Sequence, residues 1–244
     1  MLGLLRSLLV YYGIPFRHQR LKSFYRPFRA FGSLMFDVGA HLGNRSRAWL
    51  ALGGSVVAVE PQKSCLTILR WLYGRNRRME IVPVAVAESE GILELHVSST
   101  HPTMTTTAGA WISELEESGM SRGVRWDRKT QVPVTTLDRL IGQFGAPAFV
   151  KIDVEGAEQQ VLDGLSRAVP LVSFEYFPTQ MDRALACIAR LSTLGEYRFN
   201  YCIGERRRFA LAEWRSEQEM SLLLSKMSPK SRSGDVYARL ASVE

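Results

Sequence analysis

The sequence predicts an α/β protein with a doubly wound, mainly parallel sheet of about seven strands, the last of them antiparallel. Short apolar runs alternate with amphipathic segments along most of the 244 residues, a pattern typical of strands joined by crossover helices. A turn that contains glycines joins the first apolar run to the first helical segment. Several apolar runs end in an acidic residue, and the carboxyl ends of strands form the ligand-binding edge of open parallel sheets.

The first strand–turn–helix–strand unit spans residues 33–60. An apolar run at 34–36 is followed by a predicted helix at 46–52 and a second apolar run at 56–59. Gly39 and Gly43 lie in the turn, where glycine allows a close approach to a ligand and the first N–H groups of the helix are free. Glu60 lies 21 positions after Gly39, close to the spacing of an acid that binds ribose hydroxyls. The unit therefore predicts a nucleoside site.

The later elements continue this alternation. Helices are predicted over 62–73, 137–144, 181–194 and 213–226, with another ending at 165, and strands over 80–84, 148–152, 170–174, 197–203 and 236–240. The run at 91–97 alternates only partly, which predicts an added strand outside the core. Residues 98–130 lose the pattern, and so long a segment within one domain predicts a lid or substrate loop, or a mobile surface excursion.

Residues 1–32 form a basic, partly helical extension before a single domain over 33–244. Leucine and tyrosine recur in the extension at helical spacing, and its basic residues follow this apolar run instead of preceding it, unlike those of a signal peptide. Two interpretations remain: a helix that covers one end of the sheet, or an amphipathic segment through which residues 1–30 contact an anionic membrane surface.

Composition bears on the cellular location of the protein and on the partners that it can bind. The net charge is +7, but the basic residues are not grouped beside the ligand-binding edge of the sheet, which predicts no nucleic-acid partner. No apolar stretch approaches the ~20 residues of a transmembrane helix. The three cysteines lack metal-site spacing and are typical of a reduced protein. We expect a cytoplasmic protein, with peripheral contact at the inner membrane surface as the alternative; no pattern predicts an oligomeric state.

Asp37 distinguishes the glycine turn from a dinucleotide fingerprint. The carboxylate stands where a diphosphate would lie, so it would repel pyrophosphate and attract an ammonium or sulfonium group. NAD and FAD are therefore disfavoured, and S-adenosylmethionine, a cationic nucleoside without phosphate, is favoured.

The segment VKIDVEGAEQQVLDGL, residues 150–165, strongly resembles the hallmark of FkbM-type S-adenosylmethionine-dependent methyltransferases. Residues 36–43, 59–61, 85–91 and 134–138 resemble further elements of that family, so the resemblance covers about 34–175. It implies a Rossmann-like sheet of the class I methyltransferase type and methyl transfer, usually to a hydroxyl of a sugar, glycan or secondary metabolite. The cofactor-binding residues that it implies are Asp37, Gly39, Ala40, His41, Gly43, Glu60, Pro61, Ala85 and Asp153.

Methyl transfer to oxygen needs an acceptor held in line with the sulfonium methyl group and a base or metal that removes the acceptor proton. Asp153 and Glu155 follow a predicted strand, so Asp153 is expected near the methionine ammonium or the acceptor hydroxyl, with Glu155 beside it. The two carboxylates could also hold Mg²⁺. For Glu155 the structural alternative is capping of the next helix.

Three further residues are candidates for the site. Glu175, at the end of a predicted strand, is a candidate base or substrate ligand. Lys151 lies in a predicted buried strand and needs a partner, in a structural ion pair or in the active site. His41 lies in the glycine turn, where it either contacts a ligand or is solvated.

Two other functions remain open. Asp153 and Glu155 could be the metal-binding pair of a nucleotide-sugar glycosyltransferase, which is disfavoured because the donor diphosphate would meet Asp37. The chain could also be a non-catalytic nucleoside-binding protein, since no residue is an unambiguous base.

Overall fold

Ten strands form two sheets in the computed structural model, which describes residues 2–28, 33–117, 119, 121 and 123–241. The strands are β1 (Leu34–Val38), β2 (Ser55–Val59), β3 (Met79–Val82), β4 (Ala85–Val86), β5 (Gly91–Val97), β6 (Arg128–Thr135), β7 (Phe149–Ile152), β8 (Leu171–Tyr176), β9 (Tyr197–Ile203) and β10 (Gly234–Leu240). The helices are α1 (Leu2–Leu8), α2 (Arg17–Tyr25), α3 (Asn44–Ala51), α4 (Lys63–Tyr73), α5 (Gly109–Glu117), α6 (Leu137–Phe144), α7 (Glu158–Asp163), α8 (Met181–Leu194) and α9 (Glu217–Ser225).

The main sheet has seven strands in the order β3-β2-β1-β7-β8-β10-β9. Its first five strands in this order, β3, β2, β1, β7 and β8, pair in parallel, and β10 runs antiparallel between β8 and β9. This confirms the predicted doubly wound sheet with its last strand antiparallel. The chain moves outward from β1 to β3 and returns at β7 on the other side of β1, and ligands of open α/β sheets bind beyond the strand ends at such a switch point.

Both faces of the main sheet are buried, which explains why its strands are nearly continuous apolar runs. Alternate residues of β1 enter different clusters: Met35 packs with Trp49 of α3 and Tyr25 of α2, whereas Phe36 packs on the opposite face. The helices α6 to α9 cover that opposite face. The two faces together form the core that fixes the ends of β1 and β7.

Most predicted elements agree with the observed ones within a few residues, and two differ. The polar helix predicted over 213–226 begins only at α9, because Ser216 and Glu219 form a capping box that starts the helix there. The strand predicted over 170–174 continues as β8 through Glu175, because Glu175 is paired with Asp235 of β10.

A second, three-stranded sheet has the order β4-β6-β5. The added strand predicted at 91–97 is β5, and it pairs with β6 and not with the main sheet. The chain between them includes α5, whose Trp111 is fully buried against Trp126 and Phe177. The described part of 98–130 is therefore packed onto the domain; residues 118, 120 and 122 lie outside the description.

The described part of the N-terminal extension packs against α3 and one face of the main sheet. Tyr25 of α2 is buried and contacts the rings of Trp49 and Phe149 edge-on. The helix α2 therefore covers one face of the sheet, whereas the expectation was a helix over one end of it. Arg29, among the basic residues of the predicted extension, lies outside the described residues. None of the described helices has the length and apolar content needed to cross a membrane.

Candidate active site

A cavity of about 300 Å³ opens beyond the carboxyl ends of β1, β2 and β7, at the switch point of the sheet. Nine of the predicted site residues line it: Gly39, Ala40, His41, Glu60, Pro61, Ala85, Asp153, Glu155 and Glu175. They come from the turn after β1, the end of β2, the strand β4, the loop after β7 and the strand β8. Asp37, Gly43 and Lys151 are not part of the cavity wall.

The glycine turn after β1 lies directly on the loop that follows β7. Gly39 has φ +77°, and a Cβ atom on it would lie 1.8 Å from the carbonyl oxygen of Asp153. The N–H groups of Gly39 and Ala40 donate to the carbonyl of Val59, at 2.9 and 3.1 Å. Only glycine fits this conformation and this contact, which places the two loops of the site against each other.

Asp37 lies beneath the turn, and the structure does not place it in the cavity wall. Its Oδ2 accepts hydrogen bonds from the backbone N–H (3.0 Å) and the hydroxyl of Ser46, in the first turn of α3. Burial raises the pKa of Asp37, although Ser46 and the nearby Arg45 act in the opposite direction. In this position Asp37 anchors the start of α3, and its contact with the cofactor stays a prediction.

Gly43 also lies behind the wall. It precedes α3 with φ +75°, and a Cβ atom there would lie 2.9 Å from Leu69 of α4. Gly43 allows α3 to pack closely on α4, and its contact with the cofactor stays a prediction.

Glu60 ends β2 with its carboxylate held by two backbone groups. Oε2 accepts from the N–H of His41 and Oε1 from the N–H of Gln62, both at 2.8 Å. Burial raises the pKa of Glu60 to about 7, even though these two hydrogen bonds lower it. Each carboxylate oxygen has two lone pairs, so both can still accept from a ligand.

His41 faces the cavity with both ring nitrogens buried and without a hydrogen-bond partner among the described residues. The residue has φ +49°, and its ring packs edge-on against Tyr11 with the centroids 5.7 Å apart. Burial lowers the pKa of His41 to about 4, so the imidazole is neutral near pH 7. Buried polar atoms without partners are uncommon, and these two nitrogens indicate a ligand position.

Asp153, Glu155 and Glu175 form an acid cluster in which one carboxyl oxygen of each lies within 4.8 Å of the others. Burial and repulsion within the cluster raise the pKa values of Glu155 and Glu175 well above their usual range. Burial acts in the same direction on Asp153, but Lys151 and Arg45 hold its pKa below the usual value. The cluster therefore combines one ionised carboxylate with two carboxyls that retain protons readily.

Two cations, the partly buried Arg45 and the fully buried Lys151, stabilise the charge of the acid cluster. Arg45 of α3 lies 3.0 Å from Asp153, and Nζ of Lys151 lies 2.9 Å from Asp235 and 3.8 Å from Asp153. Lys151 is fully buried and touches no part of the cavity. It forms the structural ion pair that was one of its two predicted roles.

Glu158, not Glu155, caps the loop after β7. Its carboxylate accepts from the N–H groups of Val154 and Gly156, each at 3.1 Å. Glu155 has φ +55° and directs its carboxyl toward the acid cluster. The capping role considered for Glu155 therefore belongs to Glu158.

A threonine-rich stretch of the segment between β5 and β6 forms the opposite wall. Thr105 accepts a hydrogen bond from Nε2 of Gln62 at 2.8 Å, and the hydroxyl of Thr106 donates to the carbonyl of Glu155 at 2.7 Å. Gly156 lies against Trp111 so closely that a Cβ atom would be 2.4 Å from the indole. These contacts join the segment to both sides of the site.

Sequence reasoning missed several residues of the site. Tyr11 and Glu205 line the cavity, and Arg45 and Asp235 set the charge of the acid cluster. Arg45 had a usable signal, since it lies between the glycine turn and the helix predicted to begin at residue 46. The other three come from distant parts of the chain and had none.

The sequence matches the methyltransferase FkbM domain over residues 37–226. No curated protein sequence matches the chain. Solved structures with a similar course include the precorrin-6y C5,15-methyltransferase of Geobacter metallireducens, with 12% identity, 92% of this chain and 86% of that chain covered and a TM-score of 0.49. An O-methyltransferase of Bacillus cereus in complex with SAH has 13% identity and a TM-score of 0.47, with 98% of this chain and 91% of that chain covered. A TehB-like SAM-dependent methyltransferase of Corynebacterium glutamicum has 9% identity and a TM-score of 0.48, with 96% of this chain and 93% of that chain covered.

The matched domain extends from the end of β1, through the glycine turn and the acid cluster, to the end of α9. It therefore includes well over half of the chain and both loops that meet at the cavity. The chain belongs to the FkbM family of S-adenosylmethionine-dependent methyltransferases.

Proposed function

We propose that this methyltransferase transfers the methyl group of S-adenosylmethionine to a hydroxyl of a small-molecule or glycan acceptor. The observation that carries the proposal is the position of the acid cluster in the same cavity as the glycine turn and Glu60. A nucleoside-binding edge and a group of possible bases then lie together, as transfer to oxygen requires.

The residues of the cavity fit the cofactor. Glu60 has lone pairs free to accept from ribose hydroxyls, and the turn at Gly39 and Ala40 leaves backbone exposed to the cavity. The unpartnered nitrogens of His41 offer a further polar contact. Asp153, kept ionised by its two cations, suits a positively charged group. S-adenosylmethionine supplies an electrophilic methyl carbon on a cationic sulfur.

Glu175 is our candidate for the general base. A base works best when its pKa is near the operating pH, and the pKa of Glu175 is raised well above the usual range by burial and by Glu155 and Asp153. His41, with a pKa of about 4, would be a weaker base. Glu175 lies within β8, so the strand holds its carboxyl in place. The cluster titrates as a unit, and the proton that Glu175 accepts is shared among its members.

The charges of the cavity favour a neutral or cationic acceptor with several hydroxyl groups. Among the residues that the structure describes, the cavity wall has one lysine or arginine, Arg45, and five acids: Glu60, Asp153, Glu155, Glu175 and Glu205. Four threonines lie in the wall as well, at positions 103, 105, 106 and 107. Carboxylates and hydroxyls accept hydrogen bonds from sugar hydroxyls. The ionised carboxylates also repel phosphate, which disfavours nucleic-acid acceptors.

Mg²⁺ at Asp153 and Glu155 stays a prediction. Glu175 adds a third oxygen ligand to the pair, and oxygen ligands suit this ion. Binding would have to compete with Arg45 for Asp153 and displace protons from the two glutamic acids. A calorimetric titration with MgCl₂ at two pH values tests it, because binding coupled to proton release strengthens as the pH rises.

Calorimetry with S-adenosylmethionine and with UDP-glucose separates the proposed function from its alternatives. We expect S-adenosylmethionine alone to bind, and Glu60→Gln to weaken that binding at least about tenfold through lost ribose contacts. Incubation with tritiated S-adenosylmethionine and a set of sugars then tests turnover. Binding of UDP-glucose would support a glycosyltransferase. Binding of S-adenosylmethionine without transfer to any hydroxylated acceptor would support a non-catalytic binder.

A further inference from the structure

Four large apolar side chains in the described part of the N-terminal extension are exposed to solvent. The exposed fractions are 56% for Leu5, 70% for Leu9, 47% for Ile14 and 68% for Phe16. Leu5 and Leu9 lie one helical turn apart and so share a face, and the other two follow within the next turn and loop. Single exposed apolar residues are ordinary, whereas several in one short segment mark an interaction surface.

The same segment carries nearly all the excess positive charge of the chain. Residues 1–32 contain six of the 31 lysines and arginines and none of the 24 acidic residues. The remaining 25 basic residues are almost balanced by those acids, so six of the seven net charges belong to this segment. Arg6, Arg20 and Arg26 of the same segment are exposed as well.

The segment is attached directly to the active site. The hydroxyl of Tyr12 donates to the carbonyl of Leu42 in the glycine turn at 2.6 Å and lies 2.7 Å from the hydroxyl of Tyr73. Tyr11 lines the cavity against His41, whereas Leu9, two residues earlier on the same turn, points to solvent.

We propose that residues 2–28 dock on an anionic membrane surface, with the apolar side chains in the headgroup region and the arginines against acidic lipids. Exposed leucine and phenylalanine next to arginine, with no acidic residue, is the composition of segments that lie in the membrane interface. A nucleic acid would use the arginines but leave the apolar residues without a role. Docking places the cavity, through Tyr11, next to the membrane surface.

Flotation with lipid vesicles tests the docking. The wild-type protein is expected to float with phosphatidylcholine vesicles that contain phosphatidylglycerol and to remain unbound with phosphatidylcholine alone. Leu9→Ser and Phe16→Ser should each lower the partitioning of the protein onto anionic vesicles about tenfold. The double variant Arg6→Gln with Arg20→Gln should lower it about fivefold for each charge removed. Leu222→Ser, an apolar site 58% exposed on α9, and Lys230→Gln are the matched controls and should change nothing.

The location of the contact can be measured separately. The native residues Cys65, Cys187 and Cys202 are buried, so an environment-sensitive fluorophore attaches selectively to Leu9→Cys, with Leu222→Cys as control. A blue shift with anionic vesicles at position 9 alone is expected. The proposal is overturned if wild type does not float at low salt, if the serine variants float normally, or if an RNA oligonucleotide binds the same arginines and vesicles do not. S-adenosylmethionine binding by the serine variants shows that they are folded.

Discussion

The α-carbon of Gly39 faces the carbonyl oxygen of Asp153 so closely that a side-chain carbon would lie 1.8 Å from that oxygen. The glycine turn and the acid cluster are therefore one structural unit, because neither loop can move toward the other. The contact joins the part of the cavity that fits a nucleoside to the part that carries the candidate bases.

We expect Gly39→Ala to separate these two loops and to weaken S-adenosylmethionine binding about a hundredfold, because the clash and the positive φ both force the turn to move. Gly142→Ala is the matched control. It lies in α6 with no atom near an added Cβ and should stabilise the fold by about 0.5–1 kcal/mol. Calorimetry and thermal unfolding give both quantities, and normal cofactor binding by Gly39→Ala would contradict this description of the site.

Glu175→Gln should lower kcat about 10²- to 10⁴-fold, because the amide cannot accept the acceptor proton. Cofactor affinity should stay within about twofold of wild type. In the wild type the rate should fall as the pH decreases through the apparent pKa of the cluster, which lies above that of an ordinary glutamate. Glu213→Gln, an exposed residue far along the chain, serves as the control. A profile that is the same for wild type and Glu175→Gln would remove Glu175 as the base.

Local signals made the sheet and the cofactor edge predictable. Strand, turn and helix follow one another directly between Leu34 and Glu60, so periodicity and glycine positions sufficed. The boundary of α9 was missed because the capping box at Ser216 outweighs the weak periodicity before it. Glu175 was predicted at the end of its strand; the pairing with Asp235, which continues β8 to Tyr176, is not visible from the local sequence.

The electrostatics of the site could be predicted only in part. The acids at 153, 155 and 175 were found because each lies at or near the end of an apolar run. Their two cation partners depend on contacts between segments far apart in the chain: Arg45 with Asp153, and Lys151 with Asp235. Tyr11 is similar, since the fold brings the extension to the cavity and no pattern in the extension indicates it.

Lys151→Met should destabilise the protein by about 3–5 kcal/mol, because it leaves the Asp235 carboxylate without its buried partner. The double variant Lys151→Met with Asp235→Asn should lose less than the sum of the two single variants. Arg139→Gln, which removes an exposed pair with Glu90, should cost less than about 1 kcal/mol. Urea unfolding measures all four proteins, and additive losses would show that the buried pair is not coupled.

His41→Asn should make the stability of the protein less sensitive to acid. Burial lowers the pKa of His41 to about 4, below the value of about 6.5 in an unfolded chain. As the pH falls below 6.5, the imidazole becomes protonated in the unfolded state but stays neutral in the folded state. The wild type therefore loses stability, by about 2 kcal/mol at pH 5. Asparagine tolerates the positive φ of this position and does not ionise.

The melting temperature of His41→Asn relative to wild type should therefore be about 4–8 °C higher at pH 5 than at pH 8. The measurement at pH 8 is the internal control, because the imidazole is neutral there in both states and the difference reports packing alone. A difference that is equal at the two pH values would mean that the ring of His41 reaches water, and that its unpartnered nitrogens do not mark a ligand position.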